Sequence, residues 1–292
     1  MPLGAKIEVD DILLSSGGGG TNAAATFANQ GLKAAYCGMV GNDFSGDLIK
    51  REMKSLRVDI GLLRTTSAKP TNLSVFLNYP GQDRTILVYR GASDILKKDD
   101  IPWSKIKKTK WIYLAPLGGA MAEMTCHIVD FAKKNKIKIA LNPGYSQLTL
   151  PRTDLQIILS KIDVLLLNKE EASLLTNIPY ENEKEIFEKI DGWTKGIVVM
   201  TKAEDGVVVS DGRYLYKAGV IKTEAVDKTG AGDAFGSAFI TGLVQKNMII
   251  YAIQLGIANS AYCIRKFGAK EGLLKKGQRW PKIEVRKEAG AI

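Results

Sequence analysis

A chain of 292 residues, 45% of them apolar, can build one large α/β domain or two ordinary ones, and 41 basic against 31 acidic residues leave a net charge of +10. That charge fits nucleic acid, acidic membranes or small anionic substrates. The first two are set aside, because no C2H2 zinc-finger spacing, RNP-type aromatic strand or basic zipper accompanies it and no apolar run nears the ~20 residues of a membrane span.

The cysteines, Cys37, Cys126 and Cys263, are scattered and odd in number, which speaks against a disulfide framework or zinc cluster and for a reducing, cytoplasmic compartment. His127, the sole histidine, excludes His-dependent triads and leaves a carboxylate, Lys, Tyr or Cys as general base.

In chain order, residues 6–15 have strand composition with no helix after them. Gly17-Gly18-Gly19-Gly20-Thr21-Asn22 then leads into an alanine-rich helix over 23–30. Glycines beside a helix terminus let a ligand approach closely at Gly19 and Gly20, and Asn22 can donate to and accept from hydroxyls. A flexible turn would account for the run as well. The apolar run 34–40 reads as a strand covered on both faces, and the amphipathic stretch 46–56 as a helix. Residues 71–78 and 84–90 are strand-like again, joined by the turn-rich 79–83. Together with the first segment they form a small β-rich lid, over 5–16 and 70–91, standing off the main domain. Arg90 ends the second of these strands and could reach an anionic sugar, such as a sugar phosphate or sugar acid. An ordinary surface arginine fits the position equally.

Further apolar runs at 111–114, 137–141, 164–167 and 197–200 alternate with helical patterns at 121–136, which holds His127, and at 183–193. The alternation predicts an α/β fold: a doubly wound, mostly parallel sheet flanked by helices, in one domain over 1–292 without linker or repeat. The lysine-rich stretches 105–110 and 133–138 read as solvated element edges.

Two motifs carry chemistry. Asn168-Lys169-Glu170-Glu171 lies at the carboxyl end of the 164–167 strand, where open α/β sheets place ligands. Asn168 and Glu171 are one helical turn apart and suit the hydration shell of Mg²⁺, although a solvated helix start explains the stretch taken alone. The strongest signal is Asp227-Lys228-Thr229-Gly230-Ala231-Gly232-Asp233-Ala234-Phe235-Gly236, running from a loop into a helix that ends near Gln245. Glycines at a helix start expose backbone N–H groups to an anion, which the helix dipole also favours. No GxxxxGK[ST] is present, and GAGDAFG lacks the GxGxxG spacing, so the P-loop and dinucleotide readings weaken. A carboxylate inside an anion cradle repels the phosphate that the amides attract. Its fitting task is to accept the proton of a hydroxyl attacking a phosphoryl group.

GGGGTN, NKEE and DKTGAGDAFGSAF, in this order and spacing, resemble the ribokinase-like, or PfkB, carbohydrate kinases over residues 4–272. The resemblance implies an α/β core, a sugar or nucleoside under the lid, and ATP with Mg²⁺ on an adjoining shelf. It implies that Asp233 is the catalytic base, that Gly230, Ala231 and Gly232 form the anion hole, and that Asn22 binds substrate. Asn168 and Glu171, the latter through water, would organise magnesium and phosphate, and Asp227 with Thr229 would hold a monovalent cation such as K⁺. Thr201-Lys202-Ala203-Glu204-Asp205-Gly206 resembles a nucleotide-contacting TxGxxG segment with Ala203 at its first glycine, so Thr201, Gly206 and Thr229 are expected at ATP. Asn259 and Gly268 resemble the adenine-flanking region.

The main departure is at the amino terminus. The point aligned with Gly4-Ala5-Lys6 is one at which family members have completed a first strand bearing a substrate-binding aspartate, and Asp10 and Asp11 are the nearby carboxylates. The resulting expectation is ATP-dependent phosphorylation of a hydroxyl on a sugar or sugar-like molecule, with a homodimer formed through the lid. A nucleoside or vitamin kinase, and a binding protein that turns over poorly for want of that strand, are the alternatives.

Overall fold

The computed structural model describes residues 4, 6, 8–77 and 85–290. The elements, in order, are α1 (Gly19–Asn29), β1 (Ala35–Gly41), α2 (Phe44–Ser55), β2 (Asp59–Thr66), β3 (Leu73–Leu77), β4 (Thr85–Tyr89), α3 (Trp103–Ile106), β5 (Trp111–Leu114), α4 (Met124–Lys134), β6 (Lys138–Leu141), α5 (Tyr145–Leu148) and α6 (Arg152–Leu159). There follow β7 (Val164–Asn168), α7 (Lys169–Thr176), α8 (Glu183–Asp191), β8 (Ile197–Thr201), β9 (Val207–Ser210), β10 (Tyr214–Ala218), α9 (Ala231–Lys246), α10 (Ile249–Cys263) and β11 (Arg286–Ala289).

A seven-stranded sheet in the order β11-β10-β9-β8-β7-β6-β5 forms the centre, with β5 to β8 parallel and β9 to β11 antiparallel. The apolar runs 137–141, 164–167 and 197–200 are its middle strands and 111–114 its edge strand, whereas 34–40 is β1 of a separate sheet, partly exposed where cover on both faces was expected; Val164, Leu165, Leu166 and Leu167 of β7 are each at most 4% exposed, as a strand with helices on both faces requires. One core cluster joins the sheet to α4, α6, α7 and α8, and the other joins it to α9 and α10. The strands β2, β9, β10 and β11 and the helices α3, α5, α6 and α10 are additions to the sequence-derived elements.

Two smaller sheets stand apart. β1 and β2 pair in parallel, and β3 and β4 form an antiparallel hairpin in the register Leu73↔Tyr89 to Leu77↔Thr85. The expected connector, residues 79–83, lies outside the described residues. α1 bridges the pieces: Phe27 meets Tyr113 of β5 edge-on at 5.7 Å, and a side chain at Gly20 would lie 2.9 Å from the ring of Tyr36 on β1.

Two further expectations need correction. Residues 8–17 form no strand, so the lid has two strands among the described residues, and β1–β2 is not joined to the seven-stranded sheet by a strand from this segment. A lone strand has nothing to satisfy its backbone or cover its side chains, and Val9, Ile12, Leu13 and Leu14 are indeed 64–75% exposed. The alanine-rich helix also starts earlier than expected, taking in Gly19 and Gly20.

Candidate active site

The carboxyl ends of the parallel strands make a shelf, and α9 begins beside it. Gly230 precedes α9 with φ 77, a left-handed conformation in which a side chain would also collide with Ala269. No side chain caps the helix start, and a Cβ at Gly232 would meet nothing within 4 Å. The first-turn amides therefore border open space, and the helix dipole adds to their pull on an anion.

Asp233 sits in this first turn, facing α1. Asn22 Nδ2 donates to Asp233 Oδ2 at 2.8 Å, and a side chain at Gly19 would lie 3.0 Å from Asp233 Oδ1. Glycine at that point is what lets the two helix starts meet. Asn22 is 4% exposed, and its Oδ1 is buried with no hydrogen-bond partner among the described residues. Burial pushes the Asp233 carboxyl above the usual carboxylate range, against the lowering effects of the Asn22 bond and the Lys270 charge.

Asn168 and Glu171 form a reciprocal capping box at the start of α7: Glu171 N donates to Asn168 Oδ1 at 2.7 Å, and Asn168 N donates to Glu171 Oε2 at 2.8 Å. Burial also raises the Glu171 carboxyl; the bond from Asn168 opposes this, and the charges of Glu170 and Asp233 add to it. Thr201 lies opposite Asn168 in the β7–β8 register, with its hydroxyl 3.4 Å from the Leu167 carbonyl. Gly206 occupies φ 89, with its carbonyl accepting from Lys202 N at 2.8 Å, and Ala203 is held at φ 49. The Asp227 carboxylate accepts from Thr229 N at 2.8 Å and from Gly268 N at 3.0 Å, fastening the loop before α9 to the loop after α10.

Asn259 stands apart from the other candidates. It is 0% exposed, its Nδ2 donates to the carbonyl of Ala234 at 2.8 Å, and its Oδ1 accepts from Leu274 N at 2.8 Å. Its amide braces α10 against α9 and leaves nothing to offer a nucleotide. Arg90, beyond the end of β4, packs its guanidinium onto Gly118. The loop that holds Gly118 also supplies Ala115 and Pro116, which close around Gly19 beside Asp233.

Three participants were not read from sequence. Tyr113 on β5 has its hydroxyl where a side chain on Gly236 would go, and it is held well above the ordinary tyrosine range by burial and by the charges of Asp233 and Glu171. Asn142, just past β6, is 3.5 Å from that hydroxyl and bonds to the Leu166 carbonyl at 3.2 Å. Its place after a parallel strand was the available signal. Asp43 caps α2 through Gly46 N at 2.8 Å, and its two oxygens accept from Thr71 N and Thr71 Oγ1, both at 2.7 Å. It thereby fixes the foot of the lid.

Comparison with known proteins bears on this geometry directly. The pfkB family carbohydrate kinase model matches residues 3–276. A ribokinase of Lactococcus lactis is 30% identical over 279 residues, 93% of this chain and 87% of the relative, and a cytidine kinase of Thermococcus kodakarensis is 26% identical over 86% and 88%. The Arabidopsis thaliana ribokinase solved with ribose and ATP superposes with a TM-score of 0.82 at 22% identity, covering 94% of this chain and 89% of that one. With the family model spanning nearly its whole length, the chain belongs to the pfkB family of carbohydrate kinases, phosphotransferases of sugars and nucleosides.

Proposed function

We propose that the site transfers the γ-phosphoryl group of ATP to a hydroxyl of a sugar or sugar-like molecule, with Asp233 as general base. The observation that carries this reading is Asn22: a buried amide whose nitrogen is fixed by Asp233 and whose oxygen has no partner among the described residues. An orphaned acceptor costs about 1–3 kcal/mol, and a hydroxyl-bearing substrate would satisfy it while placing a second hydroxyl at the carboxylate.

Asp233 then takes the hydroxyl proton as that oxygen bonds to the γ-phosphorus and the bond to the bridging oxygen of ADP breaks. The amides of Gly230, Ala231 and Gly232 receive the charge on the transferring group. Gly19 and Gly20 let the substrate lie close to the backbone. The donor set suits Mg²⁺: Glu171 offers one carboxylate, and Mg²⁺ is usually held by one or two carboxylates, phosphates and retained waters. The ion supplies charge neutralisation at the phosphates, and Asn168 with Glu171 would hold it through water. Thr201, Gly206, Thr229 and Gly268 line the nucleotide side, and Asp227 with Thr229 would seat K⁺, bracing the loop that carries the anion hole.

Arg90 supports an anionic acceptor, and the exposed apolar residues on both faces of the hairpin, among them Val75, Phe76, Leu87 and Val88, support a homodimer through the lid. The unpaired cysteines fit a cytoplasmic setting, and among the described residues no helix is long and apolar enough to cross a membrane.

ATP consumption measured with ribose, fructose 6-phosphate, a sugar acid and cytidine tests the proposal. Turnover with a sugar is expected. Turnover with cytidine alone would move the assignment to nucleosides, and ATP binding without turnover on any acceptor would point to a binding protein. Arg90→Ala should weaken the anionic acceptors selectively. Equal effects on charged and neutral sugars would remove Arg90 from recognition.

A further inference from the structure

Lys270 has surroundings unusual for a lysine. Its side chain is 5% exposed. Its ammonium donates to the backbone carbonyl and to the hydroxyl of Ser16, each at 2.6 Å, with the Glu52 carboxylate of α2 3.7 Å away. The Ser16 hydroxyl bonds in turn to Glu52. A buried ammonium is costly unless paired and hydrogen-bonded, so this lysine is held by two other segments of the chain.

Its own segment reaches the phosphate side of the site. Ala269 fills the place of a side chain on Gly230, and Gly268 N donates to Asp227. On its other side, a Cβ at Gly268 would lie 3.6 Å from the Ser15 hydroxyl, and Ser16 leads directly into the glycine turn. Residues 268–270 thus touch both walls of the site, and Lys270 is the link that bears charge.

We propose that Lys270 is a positioning residue for phosphoryl transfer: its ammonium fixes the Ser16–Gly20 turn, with Gly19 and Asn22, against Asp233 and places a buried positive charge in reach of that carboxylate. The proposal rests on Asp233 being the general base. Charged and titratable groups that act with Asp233 come from every side: Lys270, Glu171 of α7, Tyr113 of β5 and Cys263 of α10. Among these Lys270 is the cation. Burial presses its own proton off, while Glu52, Asp233 and Glu271 hold it on. Removing Lys270 should therefore raise the Asp233 midpoint, and neutralising Glu52 should lower it, because the ammonium then acts without its nearest counter-charge.

The test is a carboxyl ¹³C titration of Asp233 in the full chain, assigned with Asp233→Asn, for wild type, Lys270→Met, Lys270→Arg and Glu52→Gln. It is run beside pH profiles of kcat/KM with ATP and whichever of ribose, fructose 6-phosphate or cytidine turns over. The expected result is a midpoint moved up in Lys270→Met, down in Glu52→Gln and near wild type in Lys270→Arg. kcat/KM should fall by up to about 100-fold in Lys270→Met, the scale of a small misplacement of reacting groups, and recover in part in Lys270→Arg. If Lys270→Met does not fold, the Arg and Glu52→Gln variants carry the comparison by themselves. An Asp233 midpoint that stays put in Lys270→Met and in Glu52→Gln, or in Glu52→Gln where Lys270→Met does not fold, or a Lys270→Met enzyme within threefold of wild type, would overturn the proposal. An active Asp233→Asn enzyme would instead overturn the base assignment, and the titration still decides the electrostatic link.

Discussion

Behind Asp233, every residue of α9 from Ala234 to Leu243 is buried, whereas in the hairpin neither β3 nor β4 buries any. Under the proposed function the chain would thus present the open first turn of a packed helix to one reactant and an exposed hairpin to the other. Packed elements keep groups in place, as charge stabilisation in a transition state demands. Exposed, sparsely contacted elements open at low cost and can close on a substrate. Chemistry common to a family and selectivity that varies within it belong on such different supports.

The contrast can be tested in four ways. Asp233→Asn, on the packed side, should lower kcat by about 10²–10⁴-fold with nucleotide affinity unchanged, whatever the acceptor; a kcat within threefold of wild type would break the assignment. The same variant should melt higher at neutral pH. The folded carboxyl is raised above its unfolded value, so its contribution is fully present below the unfolded value and is lost as pH rises through the folded one. The gain from the amide should vanish in acid, and a gain that grew there would reverse the sign.

Glu171→Gln should raise the magnesium needed for half-maximal rate by about tenfold, the lower end of losses seen when an outer-shell partner is removed. Glutamine also serves in a capping box, and the Glu171 carboxyl is likewise raised by burial, so the thermal midpoint should hold or rise at neutral pH. A fall in stability with unchanged magnesium dependence would leave Glu171 a helix cap alone.

On the open side, Asp43→Ala removes an N-cap and the anchor of Thr71, at a cost of about 1 kcal/mol at neutral pH. Hydrogen bonds from Thr71 and Gly46 hold this carboxyl below the usual range, so its contribution is present above the unfolded value and is lost as pH falls through the folded one. Substrate KM should rise more than kcat falls; the opposite split would tie Asp43 to the packed side. The smallest change is Ala203→Gly. Left-handed backbone costs a non-glycine residue about 1–2 kcal/mol, against about 0.5–1 for the entropy of glycine, leaving a gain of about 0.5–1 kcal/mol readable by denaturant titration.

The sequence was most legible where burial was most complete. The runs at 164–167 and 197–200 are strands with helices over both faces, and the glycine before Ala231 marks a helix start at φ 77 that favours glycine. The segment 6–15 misled for the converse reason: β composition describes a side chain's fitness for a pleated surface, and residues 8–15 have no strand beside them among the described residues. Asn259 was legible as a position but not as a direction, since which way a helical side chain points decides whether it meets a ligand or a neighbouring helix. Lys270 carried no signal at all. Nothing in Gly268-Ala269-Lys270-Glu271 separates a buried ammonium from a surface one until Ser16, 254 residues away in sequence, is brought against it.

The separation of β1–β2 from the seven-stranded sheet also sets how the molecule breathes. Two sheets that share α1 but no hydrogen-bond ladder can part without breaking a row of backbone bonds, so the β1–β2 unit forms its own cooperative unit of opening. In deuterium exchange, the amides of β1 and β2 would lose protection together and early, those of β6 to β9 late. A ligand held between α1 and α9, as the proposed function requires, would bring the two rates together and so join two foldons into one.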